Sequence, residues 1–351
     1  MMPLLRFARW AAPRPMATFV RTQEIQHDIG PEGRFALRVT SPEVEIRAIN
    51  GGTARVRIEY EVRAASDAHA DDAFERLQYS VNLGDGRLEV SEPRRDSSGL
   101  SSLVGLLGLS SDRIDVRVVA ELPRRANVSF TGVSADATII GLRGTLELKT
   151  VSGDVVMGDL GGSITVTGVS SDISIRAEQP TSLRANTVSG DLSAIAPRFD
   201  DAHITTVSGD IELEGDLSPE TAHRFETVSG DLSLGVVGGV TLEVRGLSSD
   251  VDVSVAHRSE GSRDRRRYVI GDGVASVRFS SMSGDVSVHA ARRVAAPPTP
   301  PRPPTPPTPP AAPAPPAMPA SEQLEVLRAL ERGEIDVDEA SRRLAGGGTD
   351  G

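Results

Sequence analysis

Cysteine is absent from the 351 residues, which excludes disulfides, thiolate metal sites and thiol nucleophiles. Aromatic residues are scarce at 3 %, with one Trp, three Tyr and eight Phe, so any core must be packed with aliphatic side chains. Lysine occurs once, as Lys149, and basic charge is outweighed: the formal net charge is −11, which argues against a nucleic-acid partner. No stretch approaches the ~18 consecutive apolar residues of a membrane span. Three arginines, Arg6, Arg9 and Arg14, break the apolar run of the first segment, which makes a poor secretory signal. Residues 1–18 are therefore expected to be a disordered leader, with a basic membrane-surface segment as the functional alternative.

What the chain has in abundance is one phrase. Val207-Ser208-Gly209-Asp210 returns as Val133 to Asp136, Val151 to Asp154, Val169 to Asp172 and Val188 to Asp191. It continues as Val228 to Asp231, Leu247 to Asp250 and Met282 to Asp285. The steps between leading hydrophobics are 18, 18, 19, 19, 21, 19 and 35 residues, a period that marks a solenoid. Apolar residues recur three and five positions before each copy, as in Leu148 and Leu146 or Ile204 and Ala202. They recur one and three positions after the Asp, as in Ile211 and Leu213 or Val251 and Val253. A spacing of two on each side predicts two short strands per repeat, joined at Ser-Gly-Asp, where Gly permits positive φ. One repeat cannot bury its apolar face alone. Copies stacked in parallel at ~4.8 Å can, with ladders of Val, Ile and Leu inside and Thr, Ser, Asp and Glu outside.

The sequence thus predicts a mainly β protein, a parallel β-solenoid of about eight coils of ~19 residues over 123–294. Residues 19–122 alternate as strands, with one helix over Ala68 to Leu77, and predict an antiparallel β cap on the first coil. Gly99 to Leu109 is an apolar loop expected to fold back on that cap; a membrane or partner contact is the alternative. A polar insertion carrying Arg263, Arg265, Arg266 and Arg267 is expected as a solvated loop. Residues 295–320 are a Pro-rich linker expected to run as extended polyproline II. Residues 321–346 read as a short α-hairpin whose candidate contacts are Leu324, Leu327, Leu330, Ile335, Val337 and Leu344. Two helices this short need a partner, either a second copy or a docking surface.

The strand Ile114 to Pro123 followed by Val-Ser-Gly-Asp coils resembles the bacterial β-strand-repeat family of unknown function labelled putative adhesin. The tail from Glu322 to Leu344 is similar to the C-terminal helical hairpin called SHOCT-like. The resemblance implies a surface or envelope-stress role, no established catalytic site, and a hairpin that mediates oligomerisation or partner contact.

Chemistry is sparse. The row Asp154, Asp172, Asp191, Asp210, Asp231 and Asp250 could ladder divalent cations, or each Asp could accept N–H groups of its own turn; the second is expected. His203 and His223 stand four and five positions before the repeat hydrophobic, on opposite faces, and make a poor metal pair. No nucleophile has a base beside it and no Gly loop suits phosphate. The expectation is a non-enzymatic scaffold or sensor without cofactor, contacting protein through the hairpin. A peripheral membrane contact stays open, and so does a surface adhesin or carbohydrate-active β-helix. With no clear signal peptide the expected location is cytoplasmic, the cell surface being the alternative.

Overall fold

The structure, a computed structural model, describes residues 17–93, 113–246, 249–262 and 265–291. The chain divides into two units, Met1–Arg292 and Arg293–Gly351, and the account below concerns the first. The apolar loop, the Pro-rich stretch and the C-terminal hairpin lie outside the described residues.

Two parallel ladders run through the molecule, as the period-two pattern on each side of the repeated phrase requires. In the first, Arg34–Arg38 pairs with Asn127–Ser134, and that with Thr145–Ser152. The latter halves of Val155–Ser170, Ile173–Asn186 and Leu192–Thr205 follow, and then Ala222–Glu226. In the second, Glu43–Ile49 pairs with Ala137–Ile140, followed by the leading halves of the same three long strands. Ile211–Leu217 and Leu232–Val236 continue it. Registers match residue for residue: Leu146 lies beside Ile164, and Leu192 beside Ile211, which lies beside Leu232. All these side chains are buried. Each such aliphatic residue contributes about 1.5–3 kcal/mol by leaving water.

Three features depart from the sequence expectation. Arg34–Arg38 and Glu43–Ile49 are not part of an antiparallel cap; they form a coil of the solenoid, in parallel with the strands after Ala126. Its turn, Thr40-Ser41-Pro42-Glu43, occupies the place of Val-Ser-Gly-Asp with three of four residues changed. A second outer pair, Arg87–Ser91 and Arg113–Pro123, lies on this coil in parallel. Only beyond it does pairing turn antiparallel: Ser80–Gly84 on one side, Thr53–Ala64 and then Ala17–Asp28 on the other. The helix Asp67–Leu77, capped by Ser66, covers this end with Ala73, Phe74 and Leu77 buried, the face expected from its spacing.

At the other end, space does not follow sequence. The Met282 coil, Ala275–Ser281 with Val286–Ala290, lies directly on the Val228 coil. The Leu247 coil, Val240–Gly246 with Val251–Val253, lies outside it. The chain passes over one rung and returns to fill it, which is why the last step is 35 residues. The expected arginine-rich loop is instead an antiparallel hairpin, His257–Ser262 with Arg265–Ile270, laid against Val240–Gly246. It covers the edge of Val240–Gly246, so that among the described residues His257–Ser262 is the outermost strand on that side. Among the described residues no helix is long and apolar enough to cross a membrane.

The third departure is one of parity. Leu146 and Leu148 face inward, so Thr150 does too and Val151 must face out. Thr150, Thr187, Thr206 and Thr227 are buried, whereas the leading Val of each copy is nearly half exposed, Val207 at 47 %. The Val residues are stacked one above another as the repeat requires, but on the outer surface.

Candidate functional site

The repeated turns form one continuous edge, and most of its polar groups hold one coil to the next. The backbone N–H of Ser208 donates to Val188 O at 2.8 Å, and that of Ser229 to Val207 O at 2.9 Å. The Gly position is crowded by the neighbouring coil. A Cβ on Gly190, whose φ is +103°, would lie 2.3 Å from Ser171 O. Ala135 and Ser171 fill the same position with ordinary φ and bury their side chains.

The carboxylates of Asp136, Asp172, Asp191, Asp210, Asp231 and Asp285 each accept a backbone N–H from a neighbouring coil, not from their own turn. Asp210 N–H donates to Asp191 Oδ1 at 2.9 Å, and Asp231 N–H to Asp210 Oδ1 at 2.9 Å. Asp285 N–H then donates to Asp231 Oδ1, and Asp250 N–H to Asp285 Oδ1, both at 2.8 Å. The order follows the spatial stack, through the out-of-sequence rung. In return the Asp210 carbonyl accepts Leu192 N–H, and the Asp231 carbonyl accepts Ile211 N–H. Hydrogen bonds of this kind, from a backbone N–H to a carboxylate oxygen, are among the stronger ones a folded chain makes, and here each ties one coil to the next.

Beside this row the second ladder opens a cavity of about 430 Å³, lined by Asp191, Asp210, Asp231, Asp285 and Asp250 together with Glu212 and Asp252. Among the described residues no group of three or more His, Asp or Glu is arranged to hold a metal ion. A buried Glu214 faces His289 Nε2 at 3.5 Å across Gly235, whose missing side chain leaves the room. Sequence reasoning missed this pair, because its members lie 75 positions apart on coils that are not consecutive in the chain.

The two histidines occupy opposite faces. His203 is at the surface, with Nδ1 2.8 Å from Asp201 Oδ1. His223 is fully buried among the inward residues of the first ladder, where Nε2 meets the Ser218 carbonyl at 3.0 Å. Burial lowers its pKa below the usual imidazole value, and the carbonyl only partly opposes this. In the arginine-rich segment the guanidinium of Arg266 reaches back to the Ser249 carbonyl, so it braces the hairpin. The hairpin contacts Leu324, Leu327, Leu330, Ile335, Val337 and Leu344 lie outside the described residues.

Two parallel ladders with a turn motif engaged in stacking define a β-solenoid of the β-strand-repeat class. The model of the Toastrack DUF4097 family matches residues 36–289, and the chain belongs to that family. No curated protein matches it. Among solved structures it is similar to a putative adhesin from Bacteroides fragilis, at 12 % identity over 77 % of this chain and 97 % of that one, with a TM-score of 0.41. It is also similar to a protein from Parabacteroides distasonis named a putative lipid binding protein, at 12 % identity, 77 % and 96 % coverage and a TM-score of 0.41. Likenesses of this order carry nothing about what this chain binds.

Proposed function

We propose that the protein is a non-catalytic scaffold or sensor, which holds a rigid solenoid and contacts protein through its C-terminal hairpin in an envelope-stress setting. The observation that carries the first part is the engagement of the repeat motif. The Asp row is bonded coil to coil, and its Gly positions are closed by neighbouring carbonyls. The hairpin part rests on sequence, from the Leu periodicity of 321–346 and its resemblance to SHOCT-like tails. The acidic cavity favours the second reading, a carbohydrate-active or adhesive β-helix, since paired carboxylates are what glycoside hydrolysis uses.

Two assays on the full chain separate these. Release of reducing sugar from a polysaccharide panel would overturn the scaffold reading. For the hairpin, Leu327→Asp with Leu330→Asp is expected to abolish capture of a cross-linked partner while melting of the solenoid is unchanged. Capture that survives the double substitution removes the hairpin from the proposal.

A further inference from the structure

The outermost strand of the N-terminal end, Ala17–Asp28, pairs along its full length with Thr53–Ala64 and, among the described residues, with nothing on its other side. Twelve residues run without a bulge, and the strand contains neither Pro nor Lys, the usual devices that blunt an edge. Its odd-numbered side chains are tied down. Arg21 bonds Asp71 at 2.6 Å and lies over the Phe74 ring; Gln23 bonds Tyr79 O and receives the Tyr60 hydroxyl; His27 meets Gly84 O. The strand is therefore held in place, yet Val20 is 68 % exposed.

Which backbone groups are free follows from one bond. Ile29 N–H donates to Gly52 O at 2.9 Å, and this pair continues the register of the strand. In an antiparallel ladder, bonded positions alternate, so odd residues point their N–H and C=O at Thr53–Ala64. Thr18, Val20, Thr22, Glu24 and Gln26 point theirs outward.

We propose that this edge pairs with the same edge of a second copy, antiparallel, about a two-fold axis normal to the sheet. Such an axis keeps each face on its own side, so it pairs odd residues with odd and even with even. The outward-pointing even residues then meet one another, as hydrogen bonding requires. Charge and packing choose the register. Setting Arg21 opposite Arg21, or Glu24 opposite Glu24, places like charges face to face. Setting Thr22 opposite its own copy avoids both, faces Glu24 with Val20, and places Phe19 of each copy against Ile25 of the other. Phe19 and Ile25 already pack on the core, so the apolar face continues across the axis. Setting Gln23 opposite its own copy also avoids like charges, but it sets Phe19 against His27 and Arg21 against Ile25, which breaks that face; setting Val20 or Ile25 opposite its own copy leaves much of the strand without a partner. Five bonded pairs give about ten inter-copy hydrogen bonds, counting two per narrow pair.

This goes beyond the scaffold reading and fails independently of it. Light scattering on the full chain at tens of micromolar is expected to give twice the chain mass. Thr22→Pro removes only an outward N–H, at an edge position that tolerates proline, and is expected to halve the mass with melting unchanged. Thr22→Asp and Thr22→Lys, which leave the backbone intact, are each expected to be single chains, and their equimolar mixture to regain the double mass. A wild-type chain at single mass overturns the proposal. So does double mass that persists in Thr22→Asp, or a mixture that stays at single mass.

Discussion

Gly190→Ala tests the claim that coil stacking, and not turn conformation alone, dictates the glycine of the repeat. The change adds one methyl group. Two costs follow, and Gly51 separates them: its φ is +110° against +103° at Gly190, but a Cβ there meets nothing within 4 Å. Gly51→Ala therefore reports backbone strain by itself, about 1–3 kcal/mol. At Gly190 the added carbon would lie 2.3 Å from Ser171 O, so the coils must separate locally. The bonds at risk are Ser189 N–H to Val169 O at 2.7 Å and Asp191 N–H to Asp172 Oδ1 at 2.9 Å. Lengthening both costs roughly 1–3 kcal/mol beyond the strain. Gly190→Ala is expected to lose about 2–6 kcal/mol in all, and about 2 kcal/mol more than Gly51→Ala. With a urea slope near 3 kcal/mol/M the midpoints should differ by roughly 0.7 M, read by far-UV circular dichroism. Equal midpoints for the two variants would refute the stacking account.

Other consequences can be checked alongside. Thr206 is buried with its hydroxyl lacking a hydrogen-bond partner, so Thr206→Val should be neutral or raise stability by about 1 kcal/mol, while Val207→Ser on the surface should stay within about 0.5 kcal/mol. A destabilised Thr206→Val would reverse the inside and outside of the turn. His223 should produce a pH slope. Its folded pKa is depressed, so above pH ~6.5 both states are neutral there; below it the unfolded chain binds a proton that the fold resists. Stability falls with pH below that point by at most about 1.4 kcal/mol per unit, and the difference between wild type and His223→Leu over pH 7 to 5.5 isolates it. Asp210→Asn keeps an acceptor for Asp231 N–H and should change urea stability by less than about 0.5 kcal/mol, whereas Asp210→Ala should cost about 1 kcal/mol.

Much of this architecture was legible because a solenoid writes its period into the chain. Spacing alone places Leu146, Leu148, Ile211 and Leu213 inward, and they are inward. The parity of the leading Val was legible too, since it stands an odd number of positions from Leu148; hydrophobic character obscured what position implied. The coil at Thr40 was hidden by its turn, where Pro42 and Glu43 replace Gly and Asp. Stacking order was not legible, because parallel strands of similar composition pair equally well with several neighbours, and only long-range contacts choose among them. Spacing singles out the Asp row, yet it predicts bonding within each turn. Local side-chain bonds are the usual habit of Asp, and the alternative needs the next coil in place.

The out-of-order rung at the C-terminal end restricts how such a molecule changes length. Because Ala275–Ser281 is seated between two segments that precede it in the chain, a repeat appended after Asp285 would find its landing place already occupied. A duplicated unit can be absorbed only between Val133 and Val228, where order along the polypeptide and order along the stack agree. Relatives with more or fewer turns should therefore differ in the middle and keep both finials unchanged.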